Sequence, residues 1–201
     1  MNLPFYRVSR QICLTVISAL YGFRVSSAEN VPATGPVIVA CNHVSYLDPV
    51  VLGIGIRRPL TYLAKKELFA IPVLGPVITG LGVYPLDREA GGVAAVRAAL
   101  RALKEGRCVG IFPEGTRNLT GAVEGKGGAA LLGALSGAPV VPAAISGTLH
   151  ARPFHQIRVV YGEPIHVERN RKADGGDLEK WTEEIMRRIR ALEESIGGRG
   201  G

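Results

Sequence analysis

The chain has 201 residues, of which 47% are hydrophobic and 20% charged, enough for one globular domain with a full core and too apolar for a disordered chain. Its formal net charge of +7 suits anionic partners such as lipid headgroups or phosphorylated substrates. Nucleic acid is disfavoured, because the charges are scattered, aromatics make up only 6%, and no basic stripe interleaves with them.

Residues 1–30 read as an apolar and basic N-terminal segment. Arg7 and Arg10 precede a charge-free run over 11–23, thirteen residues long and short of the ~20 that cross a bilayer. Cleavage after Ser26-Ser27-Ala28 would make it a signal peptide, but Arg24 interrupts that path. The preferred reading is a short helix lying in the membrane interface, and the alternative is a helix packed on the protein's own core. The main domain is expected over 31–197, with 198–201 as a disordered tail.

From 36 onward short β-prone runs alternate with helical stretches. Strands are expected at 37–41, 61–64, 82–85, 108–112, 140–145 and 157–161. The clearest helix covers 93–105, with Val93, Val96, Leu100 and Leu103 on one face and Arg97, Arg101 and Lys104 on the other. Continuous apolar strands alternating with helices predict an α/β fold, a mainly parallel central sheet covered on both faces. The charge-free run over 68–86 contains Pro72, Gly75, Pro76, Gly80 and Gly82. It reads as a helix or loop plus a strand, and offers an apolar wall for a lipid chain. A final amphipathic helix is expected over 177–196, where Leu178, Trp181, Ile185, Ile189 and Leu192 recur at helical spacing.

Two polar islands could do chemistry. Asn42-His43-Val44-Ser45-Tyr46-Leu47-Asp48 lies between a strand and a helix. Histidine suits proton abstraction from a hydroxyl near neutral pH, and a carboxylate fixes its tautomer. Ser45 is read as a helix cap and Asn42 as a tie for the turn. Phe112-Pro113-Glu114-Gly115-Thr116-Arg117 follows another strand and should share the same sheet edge, where ligands bind in open α/β sheets. There Gly115 allows close approach, Thr116 offers a hydroxyl, and Arg117 can grip a phosphate. Glu114 is read as orienting Arg117 or a substrate hydroxyl.

A protein nucleophile is not evident. No G-x-S-x-G elbow occurs. Cys13, Cys41 and Cys108 form no even disulfide framework and no metal-ligand spacing, and Cys41 reads as a small hydrophobe rather than an attacking thiol. The substrate's own hydroxyl is therefore expected to attack. No cofactor or metal is expected.

These islands resemble the glycerolipid acyltransferase family, bacterial type. Gly82-Val83-Tyr84-Pro85-Leu86-Asp87-Arg88 is similar to that family's second block and Val141-Pro142-Ala143-Ala144-Ile145 to its fourth. Lys65-Lys66-Glu67-Leu68 and Lys126-Gly127-Gly128 fall where it carries basic segments, and the resemblance spans about 31–163. Asn118 stands where that family commonly has serine. The resemblance implies that His43, partnered by Asp48, deprotonates the sn-2 hydroxyl of lysophosphatidic acid for attack on acyl-acyl carrier protein or acyl-coenzyme A. Arg88, Glu114, Gly115, Thr116, Arg117 and Lys126 would bind substrate, with Arg88 and Arg117 on the phosphate. Lys65, or equally Lys66, would lie near the developing oxyanion. It also implies work at a lipid bilayer, on the cytoplasmic face of the cell membrane. Another lysolipid or aminolipid acceptor, or a lipid-binding module without transfer, are the alternatives.

Overall fold

A computed structural model describes residues 2–86, 91–115, 117–118, 125–170 and 175–198. The expected α/β architecture is present. Strands β1 (Arg24–Ser26), β2 (Val37–Cys41), β3 (Leu60–Thr61), β6 (Cys108–Ile111), β7 (Val140–Ser146) and β8 (Arg158–Tyr161) form one sheet in the order β1-β8-β7-β2-β6-β3. Neighbours pair in parallel except β7 with β8. Strands β4 (Leu63–Lys65) and β5 (Tyr84–Leu86) make a separate parallel pair.

The core explains why β2 reads as an unbroken apolar run. All five of its residues are fully buried, and successive side chains feed opposite faces of the sheet. Val37, Val39 and Cys41 join a cluster with Val51, Leu52, Ile54 and Ile56 of α2 (Asp48–Gly55) and its flank, and with Ile17 of α1 (Leu3–Tyr21). Ile38 and Ala40 join the opposite cluster, built with α4 (Gly91–Lys104), α5 (Gly128–Ser136) and α6 (Gly175–Ser195). Burying a side chain such as Ile38 contributes about 1.5–3 kcal/mol, so a strand with both faces covered tolerates polar residues only past its end. The connection leaving β2 goes to one face through α2, and that leaving β6 goes to the other through α5. In open α/β sheets ligands bind beyond the strand ends where successive connections diverge in this way, which here are the ends of β2 and β6.

Two local features depart from the sequence reading, and the 68–86 run follows it. The stretch 61–64 divides at Tyr62 into β3 and β4, whose partners belong to different sheets. Arg24–Ser26 was not anticipated as a strand, yet it pairs with β8 at the sheet edge. The run 68–86 holds a 3₁₀ turn, the seven-residue α3 (Leu74–Gly80) and β5. Among the described residues no helix is long and apolar enough to cross a membrane.

Helix α1 lies on the domain through Tyr6 and Ile17. Arg10 donates to the carbonyls of Ile54 and Ile56 at 2.7 and 2.8 Å, placing its charge at the carbonyl end of α2. The amide of Asn2 donates to Gly80 at the end of α3. Away from those contacts Val8 and Ile12, each 59% exposed, line up with Val16 and Leu20 as an apolar stripe, which Phe5 continues to Gly80. Ile71, Val73, Leu74 and Val77 are exposed around α3. The basic run near the C-terminus is largely self-paired: Arg187 and Arg188 both bond Glu184 and hold its carboxyl down at about 2.

Candidate active site

Strand β2 ends at Cys41, and the next seven residues turn back on themselves around one buried carboxylate. Asp48 Oδ2 accepts from the backbone amides of Val44 and Ser45 at 2.7 Å each and lies 2.9 Å from His43 Nδ1. Its other oxygen accepts from the Thr148 hydroxyl at 2.6 Å. With two amides already donating to Oδ2, that oxygen is placed to accept from Nδ1–H of a neutral ring, the tautomer that leaves Nε2 without a proton. The predicted pair of His43 and Asp48 is therefore assembled. Ser45 is not a helix cap: its hydroxyl accepts from the Leu47 amide at 3.3 Å, and α2 starts with no side-chain cap.

The ring plane is set by stacking. Phe112 lies 4.2 Å from His43, centroid to centroid and inclined by 24°, with Tyr62 parallel on Phe112 at 6.1 Å. Burial pushes the Tyr62 phenol well above its ordinary range, so it stays a neutral donor, here to the Pro49 carbonyl.

The His43 backbone is clamped from β6. Its amide donates to Glu114 Oε2 at 3.1 Å, and its carbonyl accepts from the Asn118 amide at 2.7 Å. Asn118 Nδ2 donates to Glu114 Oε1 at 2.9 Å, and both side chains are buried. Glu114 thus sits beneath the histidine as a brace. Asn118 completes the brace, which gives a physical use to the residue that departs from the family's common serine.

Beyond Glu114 the chain turns outward. Gly115 takes φ +70°, and a Cβ there would meet the Lys126 side chain at 3.2–3.4 Å, so glycine lets that lysine lie against the loop. The Lys126 amide is tied to the Pro113 carbonyl at 2.8 Å. Arg117 is exposed, with its Cζ 3.8 Å over the Tyr46 ring and Nη2 donating to the Tyr46 hydroxyl at 2.9 Å. A guanidinium stacked on an aromatic face keeps in-plane N–H edges for an anion. Gly115, Arg117 and Lys126 therefore gather beside His43's loop. Lys65 is exposed at the end of β4, in register with Leu86 of β5. Arg88 and Thr116 lie outside the described residues.

Two contributors were not singled out from sequence. Thr148 follows β7 and is aimed at Asp48 by Gly147, whose φ of +82° and closeness to the Gln156 backbone leave no room for a side chain. Glu193 of α6 accepts from Asn42 Nδ2 at 3.2 Å. Asn42 itself continues the β2–β7 ladder as a side chain, bonding both the amide and the carbonyl of Ile145 at 2.8 and 3.0 Å.

Cys41 is buried, and its thiol is pushed well above the ordinary range by that burial, reinforced by Asp48, Glu114 and Glu193. It is an unsuitable nucleophile. Burial likewise takes Cys108 up to about 12.

An apolar cavity of about 250 Å³ adjoins the stack. Tyr62 and Pro49 line it together with Tyr6, Ile78, Leu81 and Val83. Ile78, Leu81 and Val83 of the 68–86 run thus form one side of it.

The family model described as Acyltransferase matches residues 22–146. A 1-acyl-sn-glycerol-3-phosphate acyltransferase of Bacillus subtilis (strain 168) is 32% identical over 95% of this chain and 98% of its own length. Another protein of that name from Pseudomonas aeruginosa is 30% identical over 92% of this chain and 77% of its own. The crystal structure of the 1-acyl-sn-glycerophosphate (LPA) acyltransferase PlsC from Thermotoga maritima superposes with a TM-score of 0.76 at 28% identity, covering 98% of this chain and 81% of that one.

Proposed function

Because the chain belongs to the acyltransferase family, we propose that it moves a fatty acyl group from an acyl thioester to the sn-2 hydroxyl of 1-acyl-sn-glycerol-3-phosphate, giving phosphatidic acid. The observation that carries this reading is the buried Asp48 carboxylate fixed on His43 Nδ1, in a chain whose full-length relative bears that activity's name.

His43 Nε2 takes the proton of the sn-2 hydroxyl as that oxygen bonds to the thioester carbonyl carbon. Asp48 stabilises the imidazolium so formed. The tetrahedral adduct collapses by breaking its carbon–sulfur bond, and the proton passes from Nε2 to the leaving sulfur. Attack is direct, a reading supported by the high-lying Cys41 thiol. Lys65 supplies positive charge near the oxyanion. Arg117, with Gly115, Thr116, Lys126 and Arg88, holds the glycerol phosphate, a dianion that a guanidinium's paired N–H groups fit well. The donor is an acyl-acyl carrier protein or an acyl-coenzyme A, which present the same thioester. The chemistry needs no cofactor or metal. The cavity lined by Tyr62, Ile78, Leu81 and Val83 receives an acyl chain.

Purified protein offered lysolipids of differing headgroup, with labelled acyl-carrier-protein and coenzyme A donors, is expected to label phosphatidic acid. Label confined to an aminolipid or a phosphodiester lysolipid would overturn the acceptor assignment. In the same assay Arg117→Ala is expected to raise the acceptor KM about ten- to a hundredfold, the loss of a hydrogen bond to a charged group. An unchanged acceptor KM would remove Arg117 from the phosphate site.

The exposed stripe of α1, beside the apolar residues of α3, is proposed to lie in the headgroup region of a bilayer, on the cytoplasmic face where the thioester donors circulate. Replacing Val8, Ile12 and Val16 together with serine is expected to weaken vesicle binding about a hundredfold, at about 1 kcal/mol for each partly inserted side chain. Undiminished co-sedimentation with phospholipid vesicles would exclude this face.

A further inference from the structure

Helix α6 lies beyond the region that the family model matches, and its packing stripe contains an anomaly. Ile185 and Ile189 are buried at a spacing of four, and the next position in that stripe is Glu193, only 6% exposed. An aliphatic residue would fill that place without the several kcal/mol that burying a carboxylate costs. The carboxylate instead reaches the end of β2, where Glu193 Oε1 accepts from Asn42 Nδ2 at 3.2 Å.

Glu193 is the third buried acid at that strand end. Asp48 holds the His43 ring, and Glu114 holds the His43 amide. Glu193 holds the neighbouring Asn42 amide, which is itself stitched to Ile145 on β7. The three acids come from α2, from the loop after β6 and from α6, so the His43 ring, the His43 amide and the neighbouring Asn42 side chain are each tied to a separate part of the fold. We propose that Glu193 is a positioning residue: by fixing the Asn42 side chain it sets the direction in which the chain leaves β2, and so the placement of His43 Nε2 against the acceptor hydroxyl.

The proposal rests on His43 acting as base, and it predicts a specific separation of effects. A displacement of about 1 Å in a catalytic group can cost about a hundredfold in rate, so losing one of several anchors should cost less. In Glu193→Leu the aliphatic stripe is completed, and the thermal midpoint is expected to hold or rise. The kcat is nevertheless expected to fall about tenfold, with acceptor and donor KM within twofold of wild type. In Glu193→Gln the amide oxygen still accepts from Asn42, and kcat should recover to within threefold of wild type.

Full-length protein is assayed on whichever lysolipid the wild type turns over best, so a failed acceptor assignment appears in the wild type and leaves the variant ratios intact. A Glu193→Leu enzyme with kcat within twofold of wild type would overturn the proposal. So would a Glu193→Gln enzyme as slow as Glu193→Leu, or losses of kcat and thermal midpoint in parallel in both variants, since those are the marks of a general packing role.

Discussion

Replacing His43 with alanine is expected to lower turnover by about three orders of magnitude, within the 10²–10⁴ range that general-base catalysis supplies. The fold should survive. The side chain is 17% exposed, and its main packing partner is the Phe112 ring, a contact worth about 0.5–1.5 kcal/mol beyond the area it buries. The backbone at 43 keeps its two ties, to Glu114 and to the Asn118 amide, because neither involves the imidazole. Asp48 keeps the Val44 and Ser45 amides and the Thr148 hydroxyl, so its carboxylate is not orphaned. Circular dichroism and thermal unfolding should thus resemble wild type while steady-state turnover collapses. Near wild-type turnover in a folded variant would mean that another group removes the proton.

The sequence is most legible where a signal is both local and strong. Residues 37–41 form a strand to the residue because each is apolar and buried on one face or the other, and Val37, Ile38 and Val39 are β-branched. His43 and Asp48 pair as expected because the tight turn between them forces the two side chains together. The same locality explains the misses. Arg24–Ser26 is exposed at all three positions and pairs only with β8 across more than a hundred residues, so no periodicity marks it. The division at Tyr62 follows from the fold: that ring packs on Phe112, and the chain changes sheets around it. Thr148 stands a hundred residues from the carboxylate that it bonds, and Glu193 about one hundred and fifty from Asn42. A faint trace of Glu193 existed in the primary structure, as an acid standing where the α6 stripe calls for an apolar residue. Glu114 reads from sequence as orienting Arg117 or a substrate hydroxyl, since nothing local marks it as a partner of the His43 amide. Its place beneath His43 follows from β2 and β6 being neighbours, with Ala40 opposite Ile111.

The second large effect is expected at Asp48, and its size depends on which functions of the carboxylate an amide can retain. In Asp48→Asn the new side chain has one acceptor and one donor end. The Oδ2 position faces the Val44 and Ser45 amides at 2.7 Å, so an NH₂ there would oppose two donors in a buried site. The amide oxygen therefore keeps that position, still accepting from His43 Nδ1–H and preserving the tautomer that leaves Nε2 basic. The NH₂ end takes the Oδ1 position, where the Thr148 hydroxyl turns from donor to acceptor. Geometry and tautomer thus survive, and what disappears is the negative charge facing the imidazolium that forms in the transition state. A loss of about two to three orders of magnitude in kcat is expected, less than where the same exchange in a serine-protease triad also imposes the wrong tautomer, at about 10⁴. The acceptor KM should change little, because Arg117 and Lys126, proposed above to hold the phosphate, are not among the partners of Asp48. Asp48→Ala supplies the contrast: it orphans the buried Val44 amide, the half-buried Ser45 amide and the Thr148 hydroxyl, at about 1–3 kcal/mol for each buried unsatisfied group, and should lower the thermal midpoint as well as the rate. If Asp48→Asn instead destabilised the protein as much as Asp48→Ala while keeping near wild-type kcat, the carboxylate would be a structural anchor for the turn and not the partner of the base.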